Sequence, residues 1–276
     1  MLKTKKEIGI YIAAAVVAVA LPLGVLLLLL AVSPPFTESS AQTTPTTQET
    51  LSMPEESVLS PMDFVFDGQY LTCTSVPSVL GIDVSTHQKQ IDWELVKASG
   101  VEFVMIRVGY RGTDVGAIYE DELAQQHYEG AKAAGLQVGG YFFSQAVSAE
   151  EAREEAEFAL QVTAHWEMDM PLAYDWEYVS KESRTAQIDD QTLIDCTRAF
   201  CQQIVQGGRR TMVYFNPSQA RKELYLENLT DYGFWLAMYS TEMSYPYKVD
   251  MWQYTADGTV PGVAGPVDIN LYFLYD

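Results

Sequence analysis

Two carboxylates lie two residues apart at the end of an apolar segment of the chain. Asp175 and Glu177 follow the run 170–174, within the sequence Ala-Tyr-Asp-Trp-Glu. On a β-strand, residues i and i+2 point to the same face with Cα atoms about 6.5–7 Å apart, so both carboxylates enter one space. Two acids this close, surrounded by aromatic side chains, raise the pKa of one of them. One carboxyl group then stays protonated as a general acid while its neighbour remains anionic.

That division of roles is what hydrolysis of a glycosidic bond requires. The chain has 37 acidic residues, so an Asp-x-Glu pair alone also fits a solvated loop. Two further acids at predicted strand ends favour a catalytic role for the pair. They are Asp83 in Gly-Ile-Asp-Val-Ser and Asp268 in Val-Asp-Ile-Asn. Asp268 begins its strand, so it reaches the same site only if that strand is antiparallel or its boundary shifts by a few residues.

Eight segments of strand length position these acids. They are residues 79–84, 103–108, 137–143, 171–176, 211–215, 234–238, 249–254 and 267–273. Five helical patterns follow the first five of them, at residues 92–98, 120–134, 149–166, 189–206 and 217–227. Alternating strands and helices predict a parallel sheet, and eight strands can close it into a barrel. We expect an α/β fold, a TIM-like (β/α) barrel with helices missing from the last three strands; an open doubly wound sheet is the alternative.

The amino-terminal segment predicts a membrane anchor. Residues 8–32 are 25 consecutive residues without a charge, enough to span a bilayer as a transmembrane helix. Three lysines precede them and the next Lys or Arg is Lys89, so the positive-inside rule places residues 1–7 in the cytoplasm. A cleaved signal peptide is the alternative, but its apolar core is usually only about 7–15 residues long. We expect a single-pass protein of the cell membrane with an extracellular carboxy-terminal domain.

Composition divides the rest of the chain. Residues 33–62 contain 23 Ser, Thr, Pro, Glu or Gln among 30, which predicts a disordered linker. Residues 63–79 predict a short hairpin with Asp67-Gly68 at its turn, and residues 80–276 form the barrel domain. The net charge of −20 excludes the basic face of a nucleic-acid binder. The three histidines lack the spacing of metal ligands, so we expect no metal or cofactor.

In the barrel segments the chain resembles the family 25 glycoside hydrolases, from about residue 81 to residue 273. The segments that carry this resemblance are, in order, Gly-Ile-Asp-Val-Ser (81–85), Ile-Asp-Trp (91–93), Phe-Val-Met-Ile-Arg (103–107), Gly-Gly-Tyr-Phe-Phe (139–143), Tyr-Asp-Trp-Glu (174–177), Phe-Trp-Leu-Ala-x-Tyr (234–239), Trp-Gln-Tyr (252–254) and Val-Asp-x-Asn (267–270). Each segment alone is a weak signal for the family, but the full set in this order is specific for it. One departure is Phe142, where many members have His, and it concerns substrate detail.

The resemblance implies a lysozyme that cleaves the β-1,4 bond between N-acetylmuramic acid and N-acetylglucosamine in peptidoglycan. It implies that Glu177 is the proton donor and that Asp175 either stabilises the charged intermediate or orients the substrate's N-acetyl group. Asp83 and Asp268 match two further acids of the site. The aromatic residues that match family positions flanking the sugar are Tyr141, Tyr214, Trp235 and Tyr239.

Two other functions fit parts of the same pattern. A chitinase-like glycosidase also uses an Asp-x-Glu strand end, but its longer acidic run needs an Asp where this chain has Ala173. A glycan-binding module without catalysis would not need all four acids. The expected partners are peptidoglycan strands and, through the anchor, the membrane; we expect a monomer and no nucleic acid.

Overall fold

The computed structural model describes residues 52–275. The predicted cytoplasmic tail (1–7), transmembrane helix (8–32) and the first part of the linker (33–51) lie outside these residues. Within residues 52–275, no helix has the length and apolar character needed to cross a membrane.

The described residues form eleven strands. They are β1 (Phe64–Phe66), β2 (Leu71–Cys73), β3 (Ser78–Val84), β4 (Phe103–Arg111), β5 (Ile118–Glu120), β6 (Gln137–Ser144), β7 (Leu172–Trp176), β8 (Thr211–Phe215), β9 (Gly233–Ala237), β10 (Met251–Gly258) and β11 (Val267–Phe273). Eight of them close a barrel in the order β3, β4, β6, β7, β8, β9, β10 and β11. The pairing of β3 with both β4 and β11 excludes the open sheet.

The last strand of the barrel runs against its neighbours. β3, β4, β6, β7, β8, β9 and β10 pair in parallel, whereas β11 is antiparallel to both β10 and β3. Its first residues therefore lie level with the end of β3, and Asp268 is the register partner of Asp83. Asp268 could reach the site only with an antiparallel last strand or a shifted strand boundary. The structure has the antiparallel strand.

Helices cover the outside of the barrel only along the first part of the chain. They are α1 (Trp93–Ala98), α2 (Ala124–Ala133), α3 (Ala149–Val162), α4 (Asp190–Gln206) and the single turn α5 (Pro217–Gln219), which continues as a π-helix over Ala220–Leu224. Three 3₁₀ turns lie within the described residues, at Pro61–Asp63, Thr86–Gln88 and Leu226–Asn228. After Asn228 the described chain forms no further helix, so the predicted loss of helices from the last strands is confirmed.

Side chains alternate between two apolar layers, as the two-residue period of a strand requires. One layer fills the barrel and includes Met105, Met212, Trp235 and Met251. The other lies between the strands and the helices and includes Phe200 of α4. Both layers are closely packed, so the barrel interior is a core and the open space lies at the strand ends.

The β1–β2 hairpin covers the barrel face that has no helix. Its turn is the predicted one, with Gly68 at φ 103°, a conformation that glycine adopts without steric cost. Phe64 packs edge-on against Trp252 of β10 at 4.9 Å between ring centroids, and Leu71 is buried. The hairpin thus replaces a helix on the outer face of β10 and β11.

Residues 52–62, which we name the strap, lie against the barrel although the composition predicted a linker up to residue 62. Glu56 forms a β-bridge with Tyr247, the Ser57 N–H donates to the Pro246 carbonyl at 2.9 Å, and Leu59 is buried. Backbone pairing fixes this segment, and backbone pairing leaves little trace in composition.

A buried ion pair joins α3 to the barrel. Arg111 Nε donates to Glu155 Oε1 at 2.7 Å, and the hydroxyl of Ser144 donates to Glu155 Oε2 at 2.6 Å. Burial raises the pKa of Glu155 to about 7, against the lowering effect of the Ser144 and Arg111 hydrogen bonds. Ser144 ends β6 beside Tyr174 of β7, so this pair supports the strand that carries Asp175.

Candidate active site

Four acidic side chains meet at the carboxyl ends of the parallel strands. Asp83 lies near the end of β3, Asp175 near the end of β7, and Glu177 directly after β7. Asp268 joins them from the beginning of β11 because that strand is antiparallel. Asp83 and Asp175 are buried, whereas Glu177 is open to solvent. The structure therefore brings together all four acids that the sequence indicated.

Two amides hold the carboxylate of Asp83. Gln253 Nε2 and Asn270 Nδ2 each donate to Asp83 Oδ2 at 2.8 Å. Burial raises the pKa of Asp83 to about 6, while the hydrogen bonds from Asn270 and Gln253 oppose that rise and Glu177 adds to it. At neutral pH this carboxyl group is therefore mostly anionic despite its burial.

Three aromatic side chains orient these amides. The hydroxyls of Tyr214 and Tyr239 donate to Gln253 Oε1 at 2.9 and 3.1 Å. The indole N–H of Trp235 donates to Asn270 Oδ1 at 2.8 Å. With their oxygens accepting from the aromatic residues, both amides must turn their N–H groups toward the site.

Asp175 has one oxygen without a partner. Its Oδ1 is buried and accepts no hydrogen bond from any residue in the range 52–275. Burial raises the pKa of Asp175 well above its usual value, the charges of Glu177 and Asp83 raise it further, and Arg107 lowers it. A buried acceptor without a donor is unfavourable, so a substrate N–H or O–H placed here would form a strong hydrogen bond.

Glu177 lies at the solvent-exposed rim of the barrel, directly after β7, and hydrogen bonding fixes its backbone. Partial desolvation by the walls of the mouth raises the pKa of its carboxyl group. The buried side chain of Gln145 donates to the Glu177 carbonyl at 3.0 Å and accepts from the Thr185 hydroxyl at 2.7 Å. The carboxyl group is therefore open to a ligand while the main chain that carries it is held.

Asp268 completes the acidic cluster. Burial, together with the charge of Asp83, raises the pKa of Asp268 to about 8. Because the four carboxyl groups face one another, they cannot all ionise freely near neutral pH. The cluster therefore keeps protons that a general acid can donate.

The four expected sugar-flanking aromatics lie at different depths. Tyr239 is at the rim and 60% exposed, Tyr141 is half-buried and Tyr214 is buried. Trp235 was expected to flank the sugar. In the structure it is 1% exposed and lies in the core inside the barrel. Its β9 position points it into the core, where it positions Asn270 and packs against the ring of Tyr214 at 5.0 Å between centroids.

Sequence reasoning missed Gln253, Asn270 and Arg107 as site residues. Asn270 is two residues after Asp268 on the same strand, so the rule that paired Asp175 with Glu177 could have found it. Gln253 is a buried polar residue between the buried aromatic residues Trp252 and Tyr254. A polar residue at an inward position of a barrel strand is a signal for the site.

The described residues 52–275 contain no group of three or more His, Cys, Asp or Glu side chains arranged to hold a metal ion.

Comparison with known proteins gives consistent matches. The family model for glycosyl hydrolases family 25 matches residues 82–263. The autolytic lysozyme of Clostridium acetobutylicum is 29% identical over 198 residues, which cover 69% of this chain and 54% of the relative. The chain therefore spans about half the length of this relative.

Two solved structures share the fold. A bacterial lysozyme from Streptomyces coelicolor has a TM-score of 0.57 and 26% identity, over 70% of this chain and 91% of that one. The modular autolysin LytC from Streptococcus pneumoniae has a TM-score of 0.65 and 24% identity, over 76% of this chain and 52% of that one. With the family model matching most of the barrel, the chain belongs to family 25 of the glycosyl hydrolases.

Proposed function

We propose that this protein is a peptidoglycan hydrolase that cleaves the β-1,4 bond between N-acetylmuramic acid and N-acetylglucosamine. The observation that carries the proposal is the pairing of Glu177, solvent-open with a raised pKa, with Asp175, whose Oδ1 accepts no hydrogen bond from residues 52–275. Family membership and the lysozyme among its relatives support the same reaction.

Glu177 acts as the general acid. Desolvation raises the pKa of its carboxyl group, which favours the protonated form that a general acid needs, and its solvent-open position lets the glycosidic oxygen approach it. As the bond between the sugar carbon and that oxygen breaks, the proton passes to the leaving oxygen. Glu177 then takes a proton from the water that completes hydrolysis.

Asp175 and Asp83 face the positive charge that develops on the sugar ring. The free Oδ1 of Asp175 stabilises this charge directly, or accepts the N–H of the substrate's N-acetyl group and orients it for internal attack. Asp83, held anionic by its two amides, adds a fixed negative charge. Fixed charges of this kind stabilise a transition state without reorganising during the reaction.

Mass spectrometry of digested peptidoglycan tests the proposal. We expect muropeptides that end in a reducing N-acetylmuramic acid. Products that end in reducing N-acetylglucosamine would contradict the bond assignment, and intact strands bound to the protein would identify a binding module instead. A chitinase-like activity is disfavoured because Ala173 is fully buried where that class needs a further acid.

We further propose that the enzyme is anchored in the cell membrane and acts outside the cell as a monomer. Support comes from the sequence, in which three lysines precede the 25 uncharged residues 8–32. Treating intact cells, after wall removal, with a protease should release the barrel while leaving cytoplasmic proteins whole. Recovery of the full chain in the soluble fraction would contradict the anchor.

A further inference from the structure

A groove of about 660 Å³ lies beside the mouth of the barrel, between the β1–β2 hairpin and the outer face of β10 and β11. Phe66 and Gln69 line it from the hairpin, and Tyr254 and Ile269 line it from the strands. Its volume is within the range of about 300–1,000 Å³ for small-ligand sites. The hairpin lies before the family match at residues 82–263, so part of this groove comes from outside the matched domain.

The groove is continuous with the four acids. Tyr239 lines the groove, and its hydroxyl donates at 3.1 Å to Gln253, the amide that holds Asp83. Ile269 directly follows Asp268 along β11, and successive residues of a strand face opposite sides. The same strand therefore presents an acid to the mouth and an apolar wall to the groove.

The groove lining has the chemistry of a neutral sugar site. Phe66 and Tyr239 are 54% and 60% exposed and offer ring faces to the apolar C–H surface of a sugar. Ser240 and Thr259 also line the groove, and their hydroxyl groups can form hydrogen bonds with a sugar. The only charged residue among the described lining residues is Asp257. With an acid and no cation, the groove disfavours the carboxylates of muramic acid and of the stem peptide.

We propose that this groove binds a neutral N-acetylglucosamine residue of the same glycan strand, beyond the two sugars that flank the cleaved bond. The proposal rests on the proposed function for the identity of the strand. The hairpin then makes the enzyme prefer long strands, because each strand gains one more bound sugar when it extends past Tyr239.

Isothermal titration with chitotetraose, a neutral tetramer of N-acetylglucosamine, tests the groove independently of catalysis. The full chain with Glu177→Gln is the reference, and Phe66→Ala is added to it. We expect Phe66→Ala to raise the Kd about tenfold, and Val65→Ala, a neighbouring change at a residue 50% exposed and outside the groove lining, to leave the Kd unchanged. Thr259→Trp, which fills the groove from the opposite rim, should also weaken binding. Equal Kd values in all variants would overturn the proposal.

Turnover separates the subsite from the proposed function. On glycan fragments of four and eight sugars, wild type should show a higher kcat/KM for the longer one, and Phe66→Ala should reduce that ratio. An equal reduction on both fragments would contradict a subsite. Failure of wild type to cut either fragment would refute the proposed hydrolase, while the titration would still decide whether the groove binds sugar.

Discussion

Gln253 Nε2 donates to Asp83 Oδ2 across 2.8 Å, which ties the middle of β10 to the end of β3. The same amide accepts from Tyr214 and Tyr239 through its oxygen. The neutral side chain of Gln253 thus connects Tyr239, Tyr214 and Asp83. Because hydrogen bonds to the charged form lower a pKa, this connection lowers the pKa of Asp83 against the raising effect of its burial.

Gln253→Ala should move the acidic limb of the pH–activity profile to higher pH by about one unit. It removes one of two donors to an acid whose pKa is about 6, and a hydrogen bond to a charged group contributes roughly 1.5–3 kcal/mol. The measurement is kcat/KM from pH 4 to 9. Gln206→Ala, at an exposed position of α4, is the matched control. A uniform loss at every pH would indicate a purely structural role.

Glu177→Gln should reduce the release of reducing ends from peptidoglycan by about 10²–10⁴-fold, the usual contribution of a general acid. The amide keeps the shape of the side chain but cannot donate the proton, so the circular dichroism spectrum should not change. Glu182→Gln alters an exposed acid a few residues further along the same loop and should retain full activity. Comparable activity in both variants would remove Glu177 from the mechanism.

Asp268→Asn should stabilise the fold above neutral pH. The folded-state pKa of Asp268, about 8, is above its unfolded value of about 3.9, so the folded protein binds the proton more tightly. Wild type therefore loses stability as pH rises from about 4 to 8. In calorimetry the variant should show a higher Tm at pH 8, with roughly 2–4 °C for each kcal/mol gained, and no difference near pH 4. A Tm difference independent of pH would contradict this.

Arg111→Ala should destabilise the protein by about 3–5 kcal/mol, because it leaves the carboxyl group of Glu155 buried without its cation. The corresponding loss in Tm is roughly 10 °C, measured by thermal melting. Arg153→Ala changes an exposed arginine on the same helix α3 and should alter stability by about 0.5 kcal/mol or less. Equal melting temperatures would show that Glu155 is satisfied without Arg111.

The strands of the barrel could be predicted because each is short, apolar and buried. Thr211–Phe215 and Val267–Phe273 have the predicted bounds. β5 was missed because it has only three residues, none of them buried. Helix α2 begins at Ala124 instead of 120 because Asp121 accepts from the Thr86 and Leu123 N–H groups, so the chain turns there. The predicted helix 217–227 breaks at Tyr225, whose φ is 46°.

The acids of the site could be predicted from strand ends, but their partners depend on packing. The sequence analysis left the direction of β11 undecided. The connection from β10 has only eight residues, whereas a parallel crossover needs about a dozen, so its length indicates an antiparallel strand. Trp235 could be matched to an aromatic position, but only the direction of its side chain in β9 shows that it lies in the core. The amides of Gln253 and Asn270 act on Asp83 from other strands, which no local pattern reveals.

The seam between β3 and β11 also has a consequence for how the protein folds. Asn270 and Asp83 are 187 residues apart in the chain, so their contact forms only when almost the whole barrel has been synthesised and closed. Contacts of such long sequence separation slow folding because the loop entropy is lost before they form. The acidic cluster is assembled in that same step. A partly folded chain therefore lacks the complete site, and activity should appear only with closure of the barrel.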